Sequence, residues 1–337
     1  MKVLYAYQPG NPRFIELERN LVARINAETE FQVDLWDWGT EFNISRNPDA
    51  AFTQAHPDVM RPFHEALRRR SREVDAVLIA QTGGVPPELM ASLETLVIYN
   101  TADDPDSSST CSFPYLQAAD VIAHAGVSFD ATTTMGDALR RRGARRALFF
   151  PLGFYEEHFP PLQDFDATFA RRDIPLVYIG HLKRGKLERL MRRHPEMVVH
   201  ANSLKWKHKL YLLLTTGRLI HPYEGHLFPL YQRCQVGINL HITYGPSNIR
   251  CYQLPACGVA QVLDCPEGAD QLYRSGEEVL VYHSLEEAEE QIQALRQDEA
   301  LRYRIARNGY QRAREDYDRR RTFERLLRDV QTGLGSR

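Results

Sequence analysis

The chain has 337 residues, of which 43% are hydrophobic and 26% charged, the balance of a folded globular protein rather than of a disordered one. With 42 basic and 44 acidic residues the net charge is -2, so a general electrostatic attraction to nucleic acid or anionic lipid is not indicated. No apolar run approaches the roughly 20 residues that cross a bilayer, and the first residues lack a long apolar signal segment. We therefore expect a mature start and no integral membrane segment.

Six short runs of β-branched and aromatic residues occur in the first half of the chain, and helix-length amphipathic segments such as 11–27 and 131–142 separate them. Strands that alternate with helices predict a parallel sheet with helices on both faces. The runs are KVLYAY (2–7), FQVDLWDW (31–38), AVLIA (76–80), TLVIYN (95–100), VIAHA (121–125) and ALFF (147–150). We predict one Rossmann-like domain over residues 1–155.

A segment rich in proline and aromatic residues, 151–175, interrupts the alternation and is predicted to connect two domains. The alternation then resumes in LVYIG (176–180), MVVHA (197–201), VGINLH (236–241), VAQVLD (259–264) and VLVY (279–282). A second Rossmann-like domain is predicted over 156–318. Two helix starts follow it, one at Ser284 with Glu287 in capping-box spacing, and one in DYDRRR. Residues 319–337 are expected to form a last helix that packs on the first domain.

Doubly wound domains bind ligands at the carboxyl ends of their strands, so the loops there are candidate sites. After LVYIG, Gly180 ends the strand, and Lys183, Arg184 and Lys186 cluster around the start of the next helix. Basic residues at a helix start oppose the helix dipole, and a bound diphosphate would offset that cost. A solvated basic turn is the alternative interpretation.

The stretch PSNIRCYQLPACGVAQVLD (246–264) predicts a helix from Ser247 to Gly258, between a loop and a strand. Unpaired N–H groups and the positive dipole end at the start of a helix form an anion site, to which Arg250 adds positive charge. Gln253 lies one turn further on roughly the same face. Alternatively, Ser247 is only a helix cap and Arg250 only a surface charge.

Two other strand-end loops carry polar residues. Asn239, His241 and Tyr244 are placed to contact a base or a sugar, although a histidine at a strand end is also explained as a hydrogen-bonded structural residue. Asp103 and Asp104 follow the fourth strand, where a carboxylate can act as a general base or bind hydroxyl groups. The sequence D-D-P-D-S-S is also an ordinary turn composition.

Metal and disulfide chemistry is not indicated. The 12 histidines and five cysteines never fall in metal-ligand spacing, so we predict no metal site. The cysteines are odd in number and include no C-x-x-C pair, which favours free thiols in a reducing compartment. We therefore expect a cytoplasmic protein.

Four segments together resemble the CgeB-like (spore maturation protein) glycosyltransferases: VGINLH, NIRCYQLPACGVAQVLD, LYRSGEEVLVYHSLEEAEEQI and LRYRIARNGYQRA. The similarity covers roughly 95–315, is best over 236–312, and extends to FFPLGF at the domain junction and DDP at 103–105. It implies the α/β GT-B fold, in which two Rossmann-like doubly wound domains face a central cleft. The N-terminal domain would bind the acceptor and the C-terminal domain the nucleotide-sugar donor.

Carried over by position, the resemblance implies that Arg250 and the helix start at Asn248 hold the donor diphosphate. Gln253 stands where the family has a glutamate that accepts hydrogen bonds from the ribose hydroxyls, and a carboxamide offers only one acceptor oxygen. The candidate catalytic residues are Asp103, Asp104, Arg250 and Lys186. The candidate donor-binding residues are Gly180, His181, Lys183, Lys186, Asn239, Tyr244, Ser247, Asn248, Arg250 and Gln253.

The predicted function is hexosyltransferase-like: a sugar moves from a nucleotide-diphosphate sugar to the hydroxyl of a glycan, protein or small molecule, with no metal, no cofactor and no nucleic acid partner. A sugar-nucleotide epimerase or hydrolase on the same fold is one alternative. Gln253 and the absence of the His-Thr-Tyr motif of the family leave a noncatalytic nucleotide-sugar-binding or scaffold protein as another.

Overall fold

The computed structural model describes residues 1–7, 12–44, 46–102, 112–130, 132–180, 185–201, 205–223, 225–241, 248–264 and 268–334. The chain divides into two compact units. Unit 1 consists of Met1–Leu152 together with Arg319–Arg337, and unit 2 consists of Gly153–Asp318. The last helix therefore belongs to the same unit as the N-terminal residues.

Each unit is built around one parallel sheet. The strands are β1 Lys2–Ala6, β2 Gln32–Trp36, β3 Ala76–Ala80, β4 Leu96–Thr101, β5 Val121–His124, β6 Ala147–Phe149, β7 Ile174–Gly180, β8 Val198–Ala201, β9 Cys234–Ile238, β10 Ala260–Leu263 and β11 Leu280–Val281. In unit 1 the strand order is β2-β1-β3-β4-β5-β6, and in unit 2 it is β11-β10-β9-β7-β8. The direction of strand addition reverses between β1 and β3 in unit 1, and between β7 and β9 in unit 2.

The helices cover the sheets. They are α1 Pro12–Glu28, α2 Trp38–Glu41, α3 Ala50–Ala55, α4 Pro57–Ser71, α5 Pro87–Ala91, α6 Phe113–Ala118, α7 Met135–Arg141, α8 Phe165–Ala170, α9 Lys186–Arg193, α10 Trp206–Thr216, α11 Leu227–Gln232, α12 Arg250–Ala256, α13 Ala269–Leu272, α14 Leu285–Gln297, α15 Glu299–Asp316 and α16 Arg319–Leu334. None of the helices in the described ranges is long and apolar enough to cross a membrane.

Burial of apolar side chains explains both units. In unit 1, Trp38 stacks on Phe63 with ring centroids 4.0 Å apart, inside a core of strand and helix residues. In unit 2, α12 packs closely on β9 because Gly237 has no side chain, and a Cβ there would lie 2.7 Å from Leu254. Such close contact fixes the position of α12 relative to the sheet.

Every strand predicted from the sequence is present, and the doubly wound α/β class is confirmed. Segment 151–175, predicted as a connection, instead contains α8 and the start of β7. Ser284 caps α14 as predicted, with its hydroxyl accepting from the N–H of Glu287 at 3.1 Å. A further helix start at Asp298 was not predicted; its carboxylate caps α15 by accepting from the N–H of Leu301 at 2.9 Å.

Candidate active site in unit 2

The candidate site lies where β7, β9 and β10 end, at the edge of the unit 2 sheet that contains their carboxyl termini. The direction of strand addition reverses between β7 and β9, and open α/β sheets bind ligands at such a switch point. Gly180 ends β7, Asn239 and His241 follow β9, and Asp264 follows β10. Helix α12, which begins at Arg250, returns to the same edge.

Arg250 joins the ends of β7 and β9. Its Nη1 donates to the carbonyl oxygen of Ile179, its Nη2 donates to that of Leu240 at 3.1 Å, and its Nε donates to Oδ1 of Asn239 at 3.2 Å. The guanidinium also lies over the ring of Tyr178, 5.0 Å from its centroid. These contacts use three of the five N–H groups of the guanidinium, and the hydroxyl of Tyr178 accepts a further hydrogen bond from it.

The charge of Arg250 is not neutralised by a neighbouring carboxylate. Among the described residues no aspartate or glutamate forms an ion pair with it, and its acceptors are two backbone carbonyls, one side-chain amide and the hydroxyl of Tyr178. These hydrogen bonds hold the half-buried guanidinium in one orientation. It can therefore attract an anion to this edge of the sheet.

Gly180 is required by this arrangement. A Cβ at residue 180 would overlap Nη1 of Arg250 and would lie 3.0 Å from the hydroxyl of Tyr178. The sequence analysis predicted Gly180 as a donor-site residue. In the structure, the absence of a side chain at Gly180 leaves space for Arg250 to reach the carbonyl oxygen of Ile179.

His241 and Asp264 form a second hydrogen-bonded pair at the same edge. Nδ1 of His241 lies 2.5 Å from Oδ1 of Asp264, and the backbone N–H of His241 donates to Oδ2. Nε2 of His241 accepts from the backbone N–H of Asn248 at 3.1 Å, which places the ring proton on Nδ1. Both side chains are more than nine-tenths buried. His241 thus positions the chain that leads into α12.

Asn239 and Asn248 connect this pair to Arg250. Asn239 is fully buried, and its Oδ1 accepts from Nδ2 of Asn248 at 2.7 Å as well as from Arg250. Its Nδ2 donates to the sulfur of Cys251 at 2.9 Å. Asn239 therefore acts on the site through Arg250, and the sequence did not indicate this indirect role.

The predicted start of the helix was wrong. Helix α12 begins at Arg250 rather than at Ser247, and Oδ1 of Asn248 accepts from the N–H of Arg250 at 3.0 Å. The next three N–H groups donate to the carbonyl oxygens of Asn248 and Ile249. Because the first turn is closed by these bonds, positive charge at this edge comes from the Arg250 side chain and not from open backbone N–H groups. The predicted end is close, since Gly258 follows the helix with a φ of 67°.

Gln253 projects from α12 and is buried, with 7% of its surface exposed. Its Oε1 has no hydrogen-bond partner within the described parts of the chain. A buried carbonyl oxygen without a donor costs about 1 to 3 kcal/mol. This oxygen is therefore an unsatisfied acceptor next to the candidate site residues of α12.

The remaining predicted residues fall into two groups. Lys186 is exposed and is the first residue of α9, directly after Gly185. The others lie outside the described residues, and these are Asp103, Asp104, His181, Lys183, Tyr244 and Ser247. Asp264 was missed as a site residue, although the acidic end of VAQVLD at the carboxyl end of a predicted strand was a usable signal.

Unit 1 contains a cavity of about 580 Å³ on the loops and helices that follow β2, β3 and β4. One face of α4 supplies Arg61, His64, Glu65 and Arg68 to its wall, and Tyr115 lies across from them. Nε2 of His64 donates to a carbonyl oxygen at 2.8 Å. Burial lowers the pKa of His64, the hydrogen bond partly opposes this, and the charge of Arg68 lowers the pKa further, so the imidazole is neutral at pH 7.

The pair formed by His241 and Asp264 gives the first testable prediction. Asp264→Asn replaces a carboxylate that accepts two hydrogen bonds by an amide with one acceptor, and it turns an NH2 group toward an N–H donor. We expect the free energy of unfolding to fall by about 1 to 3 kcal/mol in denaturant titrations. Asp173→Asn is the matched control, because Asp173 pairs with Arg233 on the surface and its loss should change stability little. An equal effect of both variants would contradict the role of Asp264.

Comparison with known families gives a match that contains most of this site, although the end of β7 lies just before it. Residues 183–328, which include α9 and α12, match the model of a family described as glycosyl transferase-like. No curated protein matches the chain. The match contains residues 236–312, where the resemblance that predicted the enzyme class is best.

Solved structures resemble the whole chain. HepE from Anabaena, crystallised with UDP-glucose, has a TM-score of 0.69 and 15% sequence identity, with 98% of this chain and 100% of that chain covered. Sucrose-phosphate synthase from Thermosynechococcus elongatus has a TM-score of 0.68 and 13% identity, with both chains fully covered. A UDP-N-acetylglucosamine 2-epimerase from Listeria monocytogenes, described as putative, has a TM-score of 0.60 and 13% identity, with 100% and 97% covered.

These likenesses confirm the predicted fold, and the family match confirms the predicted class of enzyme. The narrower CgeB-like assignment stays a prediction. The chain has the GT-B fold and carries a glycosyl transferase-like region over residues 183–328.

Proposed function

We propose that the chain transfers a hexose from a UDP-sugar to an acceptor hydroxyl, and that unit 2 binds the donor without a metal. Support for the nucleotide comes from HepE, which was crystallised with UDP and with UDP-glucose. Support for a donor site in unit 2 comes from Arg250, which lies at the switch point of the sheet. Its guanidinium is fixed by hydrogen bonds and has no carboxylate partner among the described residues. This arrangement of Arg250 is the observation that carries the proposal.

In this mechanism Arg250 stabilises the leaving group. When the bond between the sugar and the diphosphate breaks, negative charge builds on the phosphate oxygens. A guanidinium already held by three protein oxygens does not have to reorganise at that moment, so its charge acts at once. Lys186, exposed at the start of α9, would add a second positive charge from the neighbouring loop.

Gln253 would form hydrogen bonds with the ribose hydroxyls of the donor. Its buried Oε1 has no partner among the described residues, and it stands where the resemblance places a glutamate that accepts from ribose hydroxyls. A carboxamide can accept from one hydroxyl through this oxygen and can donate to the other through its NH2 group. We propose that, with glutamine in place of glutamate, the chain still binds UDP but distinguishes it less strongly from a nucleotide that lacks one ribose hydroxyl.

The acceptor would bind in unit 1, in the cavity lined by α4 and Tyr115. Its volume of about 580 Å³ lies within the range of small-molecule sites. Arg68 and Glu65 line it, and neither forms an ion pair within the described residues. A wall that presents both a free donor and a free acceptor suits a molecule with several hydroxyl groups. We therefore propose a sugar-containing acceptor.

An epimerase shares this fold, so the reaction itself has to be tested. The purified chain is incubated with UDP-glucose in the presence and absence of candidate glycans, and the products are identified by mass spectrometry. A transferase forms a glycosylated acceptor and UDP only when the acceptor is present. A new UDP-sugar isomer formed without an acceptor would assign the chain to the epimerases.

The role of Gln253 gives the second prediction. Gln253→Glu should raise the ratio of the affinities for UDP and 2′-deoxy-UDP by about fivefold, because two carboxylate oxygens can accept from both ribose hydroxyls. Gln253→Leu should bring this ratio close to one. Titration calorimetry with both nucleotides measures the ratio, so any general loss of affinity or stability cancels. A ratio that neither variant changes would place the ribose elsewhere.

The cavity in unit 1 gives the third prediction. Arg68→Ala should raise the KM for the acceptor about tenfold, the loss expected for one charge-assisted hydrogen bond, and leave the affinity for UDP unchanged. Arg69→Ala is the matched control, because Arg69 is an exposed neighbour on α4 that does not line the cavity. Steady-state kinetics with both substrates separate the two constants. Equal KM values for the acceptor in both variants would contradict binding of the acceptor in this cavity.

A further inference from the structure

Helix α10 exposes large apolar side chains to solvent. Trp206 is 76% exposed and Leu214 is 77% exposed, while Leu210 and Leu213 are 44% and 42% exposed. The other two tryptophans of the chain, Trp36 and Trp38, are at most 3% exposed and lie in the core of unit 1. An exposed tryptophan next to three exposed leucines is an apolar patch of the kind that marks an interaction surface.

These four side chains form one stripe along α10. Their spacing of i, i+4, i+7 and i+8 places them within an arc about 100° wide on a helix of 3.6 residues per turn. Leu212 lies outside this arc and is fully buried in the core of unit 2. The helix is therefore attached to its own unit through one face and leaves a separate apolar face uncovered.

Positive charge lies on both sides of this stripe. Lys205, Lys207 and Lys209 are three of the six lysines of the chain, and the others are Lys2, Lys183 and Lys186. By the same helical spacing, Lys207 lies at one border of the stripe and Lys209 at the other. The sequence contains no acidic residue between Glu196 and Glu224, although the whole chain has a net charge of -2.

We propose that the exposed face of α10, formed by Trp206, Leu210, Leu213 and Leu214, docks on the surface of an anionic lipid bilayer. Tryptophan and leucine enter the region between headgroups and acyl chains, and flanking lysines extend their stems over apolar surface while their amines reach the phosphates. The helix has 11 residues and is about 17 Å long, so it would lie in the plane of the interface.

Charge favours a membrane over a protein partner here. Lysine is depleted in protein interfaces relative to the rest of the surface, whereas each lysine near an anionic lipid surface is attracted to the headgroups. The concentration of half of the lysines of the chain beside its exposed tryptophan matches the second case. This inference does not depend on the sugar donor or on Arg250.

Vesicle flotation of the full chain tests the proposal. We expect binding to phosphatidylcholine vesicles that contain about 30% phosphatidylglycerol, weak binding to pure phosphatidylcholine, and weakening at about 1 M salt, where the Debye length is about 3 Å. Brominated lipids should quench Trp206, because the other two tryptophans are buried. Absence of binding to the anionic vesicles would overturn the proposal.

Three variants identify the surface. Trp206→Ser combined with Leu214→Ser should lower the partition coefficient on anionic vesicles at least tenfold, because two apolar anchors are lost. Replacement of Lys205, Lys207 and Lys209 by Gln should lower it about a hundredfold, since each lysine contributes about a factor of five. Phe113→Ser in unit 1 is the matched control, because Phe113 is 55% exposed and lies outside α10. It should bind like the unchanged chain.

Two further results would overturn the proposal. One is vesicle binding that neither the apolar nor the lysine variant reduces, since the contact would then lie elsewhere. The other is a dimer in lipid-free sedimentation that Trp206→Ser combined with Leu214→Ser dissociates, since the stripe would then join two copies of the chain. The replaced side chains are exposed apart from Lys209, which is half-buried, and circular dichroism should show nearly the same melting temperature for each variant.

Discussion

The site in unit 2 depends on one arginine that satisfies the carbonyl groups at the ends of two strands. Strand ends at a switch point leave backbone oxygens without partners, and Arg250 supplies donors to those of Ile179 and Leu240. Gly180 is needed because any side chain there would occupy the path of the guanidinium. The same bonds that satisfy these carbonyls hold a positive charge at the edge where open α/β sheets generally bind ligands.

A second network keeps this charge in place. Asp264 orients His241, His241 accepts from the backbone of Asn248, and Asn248 both closes the first turn of α12 and contacts Asn239, a partner of Arg250. Each step is a hydrogen bond between buried or half-buried groups, where a lost partner is costly. The candidate anion site is therefore organised by hydrogen bonds within the protein, and charge that is organised in advance stabilises a transition state most effectively.

The sequence predicted the strands, because short β-branched runs separated by amphipathic segments are a local signal. It did not predict the start of α12, since an asparagine at 248 closes the first turn by a local bond that competes with the expected cap. Nor did it predict the partners of Arg250, because the backbone carbonyls of Ile179 and Leu240 and the side chain of Asn239 are brought to it only by the fold. The stripe on α10 was also missed, because an apolar run such as LYLLL does not show which of its side chains face the core and which face solvent.

The central claim is that the guanidinium of Arg250 binds the donor diphosphate. The most direct test compares the affinities of UDP, UMP and uridine for the unchanged chain and for Arg250→Met, measured by titration calorimetry. We expect the variant to lose at least tenfold in affinity for UDP, less for UMP, and nothing for uridine, because only the phosphates contact the guanidinium. An unchanged affinity for UDP, or an equal loss for uridine, would contradict the account.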